Sequence, residues 1–282
     1  MHTFTGQVWA TRTGVARALL RTADQVTAHL ATHVLTDSES QRVLLIDQGI
    51  VPAAKLAVLA QGSLSGVDLL RFRPDPAARV RVRQGQSIPE NAIVFLYLGR
   101  MQRDKGVIDL ARAFASVAAS LPNVHLLLVG PDEGHLITEI RLAAGACSER
   151  LHTLGFSNRP EEFLAAADVL CLPSYREGFP KVLLEAAAAG IPAIGSRIYG
   201  ITDALVEGET GWLFPAGNVP QLAHTMGVAA GDAELRARFG QTARERAERS
   251  FSATVVTDAW LQYHKNILAA YLARKASGHE GF

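Results

Sequence analysis

Cysteine is scarce: Cys147 and Cys171 are the two in a chain of 282 residues. That excludes a disulfide framework. Both sit in apolar surroundings, which suits a reduced, cytoplasmic protein, with buried thiols the plain reading and a functional role the alternative. An excess of either charge is also missing. Lys and Arg total 28 against 27 for Asp and Glu, a formal net charge of +1, so overall electrostatics give no reason to expect nucleic acid as a partner. No apolar run approaches the roughly 18 residues needed to span a bilayer. The opening "MHTFTGQVWATRTG" lacks the basic-then-apolar layout of an export signal. Membrane spanning and export are therefore not expected. Peripheral association with a membrane face needs only an apolar or basic surface and stays compatible. No internal repeat or low-complexity segment stands out.

What the chain does have is length and alternation. It exceeds a typical single domain of about 100–200 residues, so two domains, or one and a half, are expected. The runs "IVFLYL", "VHLLLVG", "LHTLGF", "DVLCLP" and "IPAIGS" are continuously apolar and separated by segments with helical spacing. Such alternation predicts βαβ units around a parallel sheet with helices on both faces. Helices are expected near 106–120, 135–146, 160–167, 180–189, 218–230, 232–249 and 253–274. The first part differs: a helix near 15–31, "THVLTDS", a helix near 38–48, a short strand "AVLA" and then "GSLSGVDLLRFRPD". These pieces hold too few strands to close a sheet of their own. Residues 1–66 read as the C-terminal part of one doubly wound domain and 67–282 as a nearly complete second one. In the last helix, Val256, Trp260, Tyr263, Ile267 and Tyr271 form one stripe. It either packs back on the N-terminal part or serves as an ordinary core helix.

Ligands of a doubly wound sheet bind beyond the carboxyl ends of its strands. After "IVFLYL", Gly99 turns the chain and Arg100 and Lys105 project near the start of the next helix. Two cations there suit a diphosphate, the guanidinium by forked hydrogen bonds and the ammonium as a compact charge; the plain alternative is a solvated basic loop. After "DVLCLP" comes "YREGFPKVLLEAAAAGIPAI". Pro180 suits the first helical position, which leaves the amides of Gly178, Phe179 and Lys181 as an anion site that Gly178 lets a ligand approach closely. Glu177 belongs to the loop at the cleft rim, either accepting from ligand hydroxyls or favouring the helix dipole. Glu185 lies one turn into the helix among apolar residues. A carboxylate there needs a partner, a salt bridge or ribose hydroxyls.

The stretch from Tyr175 to Ile194 resembles the E-x7-E signature of retaining glycosyltransferases of family 4. "GVDLLRFRP" is similar to their interdomain segment, "LGRMQRDKG" to the donor-phosphate loop, "LLLVGPDEG" to the next strand and turn, and "GETGWLFPAGNVPQLA" to the late motif before the final helices. "TFTGQVWAT" with "GSLSGVD" is more like the branch that builds capsule, exopolysaccharide and lipid-linked glycans. The resemblance implies an α/β fold of the GT-B type: one near-complete doubly wound Rossmann-like donor domain plus the C-terminal part of a second Rossmann-like domain. It implies that Arg100 and Lys105 contact the donor diphosphate, with Gly99 and the amides near Gly178, Phe179, Pro180 and Lys181. Glu177 would then hold the transferred sugar, Glu185 the ribose, and the Gly155–Phe156 loop the base. The expected donor is a UDP- or GDP-sugar, with no metal and no cofactor; the expected acceptor is a glycan or lipid-linked, in the cytoplasm or at the inner face of the membrane. Two departures stand out. By the resemblance, much of the family's N-terminal domain is expected to be missing, as in a truncated gene product, so transfer by this chain alone is expected to be weak. Thr5 stands where many relatives carry histidine. The rival readings are a non-catalytic nucleotide-sugar-binding subunit completed by a partner chain, and a sugar-nucleotide epimerase or glycan phosphorylase on the same fold.

Overall fold

The computed structural model of the protein describes residues 1–277. Strands β1 (His2–Phe4), β2 (Val34–Thr36) and β3 (Leu56–Val58) pair in parallel in the order β1-β2-β3, joined through helices α1 (Gly14–Leu30) and α2 (Glu39–Asp47). The sequence predicts too few strands here for a sheet, yet three form one. Val34 is fully buried among Phe4, Trp9, Leu45 and Leu56, so this small unit has an apolar centre of its own.

The second unit holds α3 (Pro76–Gly85), β4 (Ile93–Leu98), α4 (Val107–Ser120), β5 (Val124–Val129), α5 (Ile137–Ala144), β6 (Leu151–Leu154), α6 (Pro160–Ala166) and β7 (Val169–Leu172). It continues through α7 (Lys181–Ala188), β8 (Ala193–Ser196), α8 (Ile201–Ala204), β9 (Gly211–Phe214), α9 (Val219–Gly231) and α10 (Ala233–Phe251). Its six strands are all parallel in the order β6-β5-β4-β7-β8-β9. Numbered from β4, that is the doubly wound order 3-2-1-4-5-6, whose direction reverses between β4 and β7. Every residue of β5 and β7 is buried, as continuous apolar runs require when helices cover both faces. The expected helices are all present within a few residues. Three elements go beyond the expectation: α3, α8 and β9.

Helix α3 is held by charge. Asp168, just ahead of β7, accepts from Arg79 (2.7 Å), from Arg83 (2.8 Å) and from the Val94 amide of β4 (2.7 Å). Arg83 is only 2% exposed and spends its other donors on the carbonyls of Ala166, Glu90 and Ala92. Burial pulls its pKa down and Asp168 opposes that shift. A fully partnered guanidinium thereby staples a helix and two strands together.

The last helix, α11 (Ala253–Ala276), touches both units. Val67 bridges to Ser252 at its start. Farther along, the Trp260 indole donates to the Leu64 carbonyl at 3.1 Å and the Tyr263 ring meets His33 edge-on. Of the predicted stripe, Val256 is buried and Tyr271 is 61% exposed. Among the described residues no helix is long and apolar enough to cross a membrane.

Candidate functional site

The reversal between β4 and β7 brings two loops together, and a glycine lets them meet. Gly106, the cap of α4, has φ +68°, and a Cβ there would lie 2.1 Å from the Pro173 carbonyl oxygen. Only glycine combines that left-handed backbone with that proximity. The Tyr175 amide in turn donates to the Asp104 carbonyl at 2.8 Å. The loop after β4 and the loop after β7 therefore form one wall.

On it, Lys105 and Glu177 are brought together. The ammonium donates to Glu177 Oε1 at 2.8 Å and to the Arg176 carbonyl at 3.0 Å, and the Ser174 hydroxyl donates to the same Oε1 at 2.7 Å. Both side chains are nearly buried, at 12% and 16% exposure. Beside them, the Tyr175 hydroxyl donates to Asp109 in the first turn of α4 at 2.5 Å, which pushes its pKa up to about 12.

The other predicted residues are placed differently. Arg100 does not join Lys105: its guanidinium is exposed and pairs with Glu133 at 3.4 Å, while its carbonyl accepts from the Tyr97 hydroxyl. Gly99 contributes backbone, its carbonyl lying where a Cβ on Gly130 would be 1.9 Å away. Phe156 is 78% exposed beside exposed Gly155. Glu185 lies one turn into α7, as expected, with Lys181 Nζ at 3.8 Å. Burial raises its pKa; Lys181 and Arg71 oppose the rise, and Glu161 of α6 adds to it.

Two expectations about the start of α7 need correction. Pro180 is the cap, with an extended ψ of 103°, and the helix begins at Lys181. The room at Gly178 is taken by the first unit and not left for a ligand: a Cβ there would lie 1.8 Å from the Thr5 carbonyl oxygen. Gly6 packs on the Gly178 backbone from that side, and Gly200, after β8, approaches the Gly178 carbonyl from the other. Gly178→Ala should force this seat open and destabilise the chain by about 1–3 kcal/mol. Scanning calorimetry checks it; an unchanged melting temperature would contradict the contact.

The sequence also conceals a set of buried polar residues beside that seat. Asp37 and Ser38 follow β2, and Gln7, Thr36 and Gln41 surround them, all buried. Ser38 caps α2 by accepting from the Gln41 amide at 3.2 Å. Across the junction, the Ser40 amide donates to Asp203 at 3.0 Å and the Gln7 amide to the Tyr199 hydroxyl at 3.3 Å. The available signal was "TDSES" at the carboxyl end of a strand, the end where ligands and partners meet a doubly wound sheet.

The profile of the family "Glycosyl transferases group 1" matches residues 79–246, more than half of the chain. The chain belongs to that family. It is similar to the capsular polysaccharide biosynthesis glycosyltransferase CapM of Staphylococcus aureus, 26% identical over 91% of this chain and 67% of that protein. It is also similar to the D-inositol 3-phosphate glycosyltransferase of Corynebacterium efficiens, 34% identical over 66% of this chain and 46% of that one. The chain thus spans about half to two thirds of the length of these curated relatives. Among solved structures, Anabaena HepE in complex with UDP superposes with a TM-score of 0.82 over 94% of this chain and 71% of that one, at 20% identity. That likeness shows the fold, which is α/β of the GT-B type.

Proposed function

We propose that this member of the family binds a nucleoside-diphosphate sugar at the mouth between β4 and β7 and serves its retaining, metal-independent transfer to a glycan or lipid-linked acceptor. The polysaccharide named for the CapM relative and the UDP named for HepE support cell-surface glycan assembly and a UDP-sugar donor; a GDP-sugar is the alternative. One observation carries the reading: a nearly buried ammonium, Lys105, lies against Glu177 at the switch point, with the first turns of α4 and α7 alongside.

In this reading Lys105 and Arg100 stabilise charge as it develops on the leaving diphosphate, the largest effect such a site can supply. Arg100 would leave Glu133 for the donor, an exchange that an exposed pair permits at little cost. Glu177, held by Lys105 and Ser174, orients the sugar by accepting from its hydroxyls. Glu185 accepts from the ribose, which replaces water at a carboxylate that burial already disfavours as a charge. The Gly155–Phe156 loop faces the base. Calorimetric titration with UDP- and GDP-sugars should show saturable binding, weakened about tenfold by Glu185→Ala, equivalent to ~1.4 kcal/mol. No binding to any of them would refute the proposal.

A second reading, a donor-binding subunit completed by another chain, is favoured by apolar surface on the first unit. Val15, Leu19, Val26 and Leu30 of α1 are 52–77% exposed, and β1 lies at the edge of its sheet. Light scattering on the purified chain separates the two, since a monomer counts against a partner-dependent form built on that face.

A further inference from the structure

The geometry points to Asp37 as a positioning residue for the donor loop: a carboxylate of the first unit that lies against the Gly178 backbone and so helps to fix Glu177 and Gly178 in the arrangement that receives the donor. This rests on the donor reading above and adds to it a residue outside the donor domain.

Asp37 comes directly after β2 and is 4% exposed. Its carbonyl accepts from the Ser63 amide at 2.8 Å, which fixes the backbone. Its carboxylate reaches across the junction: a Cβ built on Gly178 would lie 3.0 Å from Oδ2, and the Phe179 amide supports the charged form by hydrogen bonding. Gln41, fully buried, completes the shell. With its amide nitrogen turned toward Asp37 it lies 2.5 Å from Oδ1, and its oxygen then accepts from the Gly6 amide at 2.6 Å. The backbone that the sequence offers to an anion thus already has a carboxylate beside it, supplied by the chain itself. Glu177 directly precedes Gly178 on the same short loop, so the contact there constrains where its carboxylate meets Lys105. Coupling to the adjacent residue is short, and an error of about 1 Å at such a site costs on the order of 10²-fold in rate.

The surroundings make this contact sensitive to pH. Burial pushes the Asp37 pKa from 3.8 up to about 7, against the hydrogen bonds from its own amide and from Phe179. The groups that face it are Asp203 of α8, which raises the pKa further, and the Tyr199 hydroxyl, with Arg176, Glu177 and Lys105 beyond; Gln41, Ser63 and the turn at Thr5 and Gly6 bring no charge. The folded state therefore holds a proton that the unfolded state has lost between pH 3.8 and about 7. Its contribution to stability is complete below 3.8, declines through that window and is gone above about 7. Asparagine keeps the shape and an acceptor oxygen for Phe179 and never pays the charge.

The test uses the full chain with UDP and UDP-glucose as probes, in calorimetry and in thermal denaturation at pH 5 and pH 8. Asp37→Ala should weaken UDP binding about tenfold, with Asp37→Asn restoring it to within about twofold of the original. Asp37→Asn should also raise the melting temperature by more at pH 8 than at pH 5. Asp37→Ala that binds UDP as tightly as the parent overturns the proposal. If that variant does not fold, the Asn variant decides alone: a stabilisation equal at both pH values overturns it. A parent chain that binds neither probe, nor any GDP-sugar, retires the donor reading and the positioning role with it. A parent that binds while both variants match it retires the positioning role alone.

Discussion

Replacing Lys105 with alanine should lower donor turnover, followed as release of the nucleoside diphosphate, by about 10²–10³-fold. The residue has two tasks in the structure. It neutralises Glu177 at 2.8 Å and it satisfies the Arg176 carbonyl at 3.0 Å. In the alanine variant the carboxylate keeps only the Ser174 hydroxyl, at 2.7 Å, and a nearly buried anion then stands where a diphosphate must bind. The donor would be repelled as well as deprived of a cation. Arginine should restore little, because a planar fork does not fill the place of a compact ammonium. Since Lys105 and Glu177 touch, their alanine substitutions should also be non-additive: the double variant should fall well short of the product of the two losses. Turnover at the parent's rate in Lys105→Ala would remove the site from the mouth between β4 and β7.

Asp168→Ala should cost about 3–5 kcal/mol of stability, the range for breaking a buried ion pair from one side. The carboxylate serves two guanidinium groups and one strand amide. Without it, Arg83 remains as a charge at 2% exposure, its pKa already lowered by burial. Against a total stability of about 5–15 kcal/mol such a loss is large. Denaturant unfolding measures it directly. Asp168→Asn, which keeps an acceptor and loses the charge, should fall between the parent and the alanine variant. An alanine variant within about 0.5 kcal/mol of the parent, the scale of an ordinary surface substitution, would show that the pair contributes nothing.

The strands of the larger sheet were legible because parallel strands covered on both faces must be apolar throughout, and "IVFLYL" and "VHLLLV" are. Helices α4 and α7 followed from spacing, whereas the reversal between β4 and β7 is a property of strand order, which the alternation of elements does not contain. Helix α3 was not legible, since "PAARVRVRQG" offers little apolar surface and its anchor is a buried arginine, a residue that pattern assigns to solvent. Strand β9 is short, with two of its four residues only half-buried, and reads as part of a loop motif. At the candidate site, Lys105 and Glu177 were found from local context and do meet. Gly178 and Asp37 were misjudged or missed for one reason: each is defined by a neighbour more than a hundred positions away in sequence, which no local pattern contains.

The seating of Gly6, Gly178 and Gly200 against one another has a consequence for how such chains can diversify. The centre of the joint is main chain against main chain, where a methyl group at any of the three positions is excluded, and side chains such as Ser40 with Asp203 key it at the margin, so these positions cannot drift independently of the partner unit. Grafting the larger unit onto a different small sheet would then need those glycines together with the side chains that cross the junction, Asp37 and Ser40 among them, a compatibility requirement that a recombination library could expose.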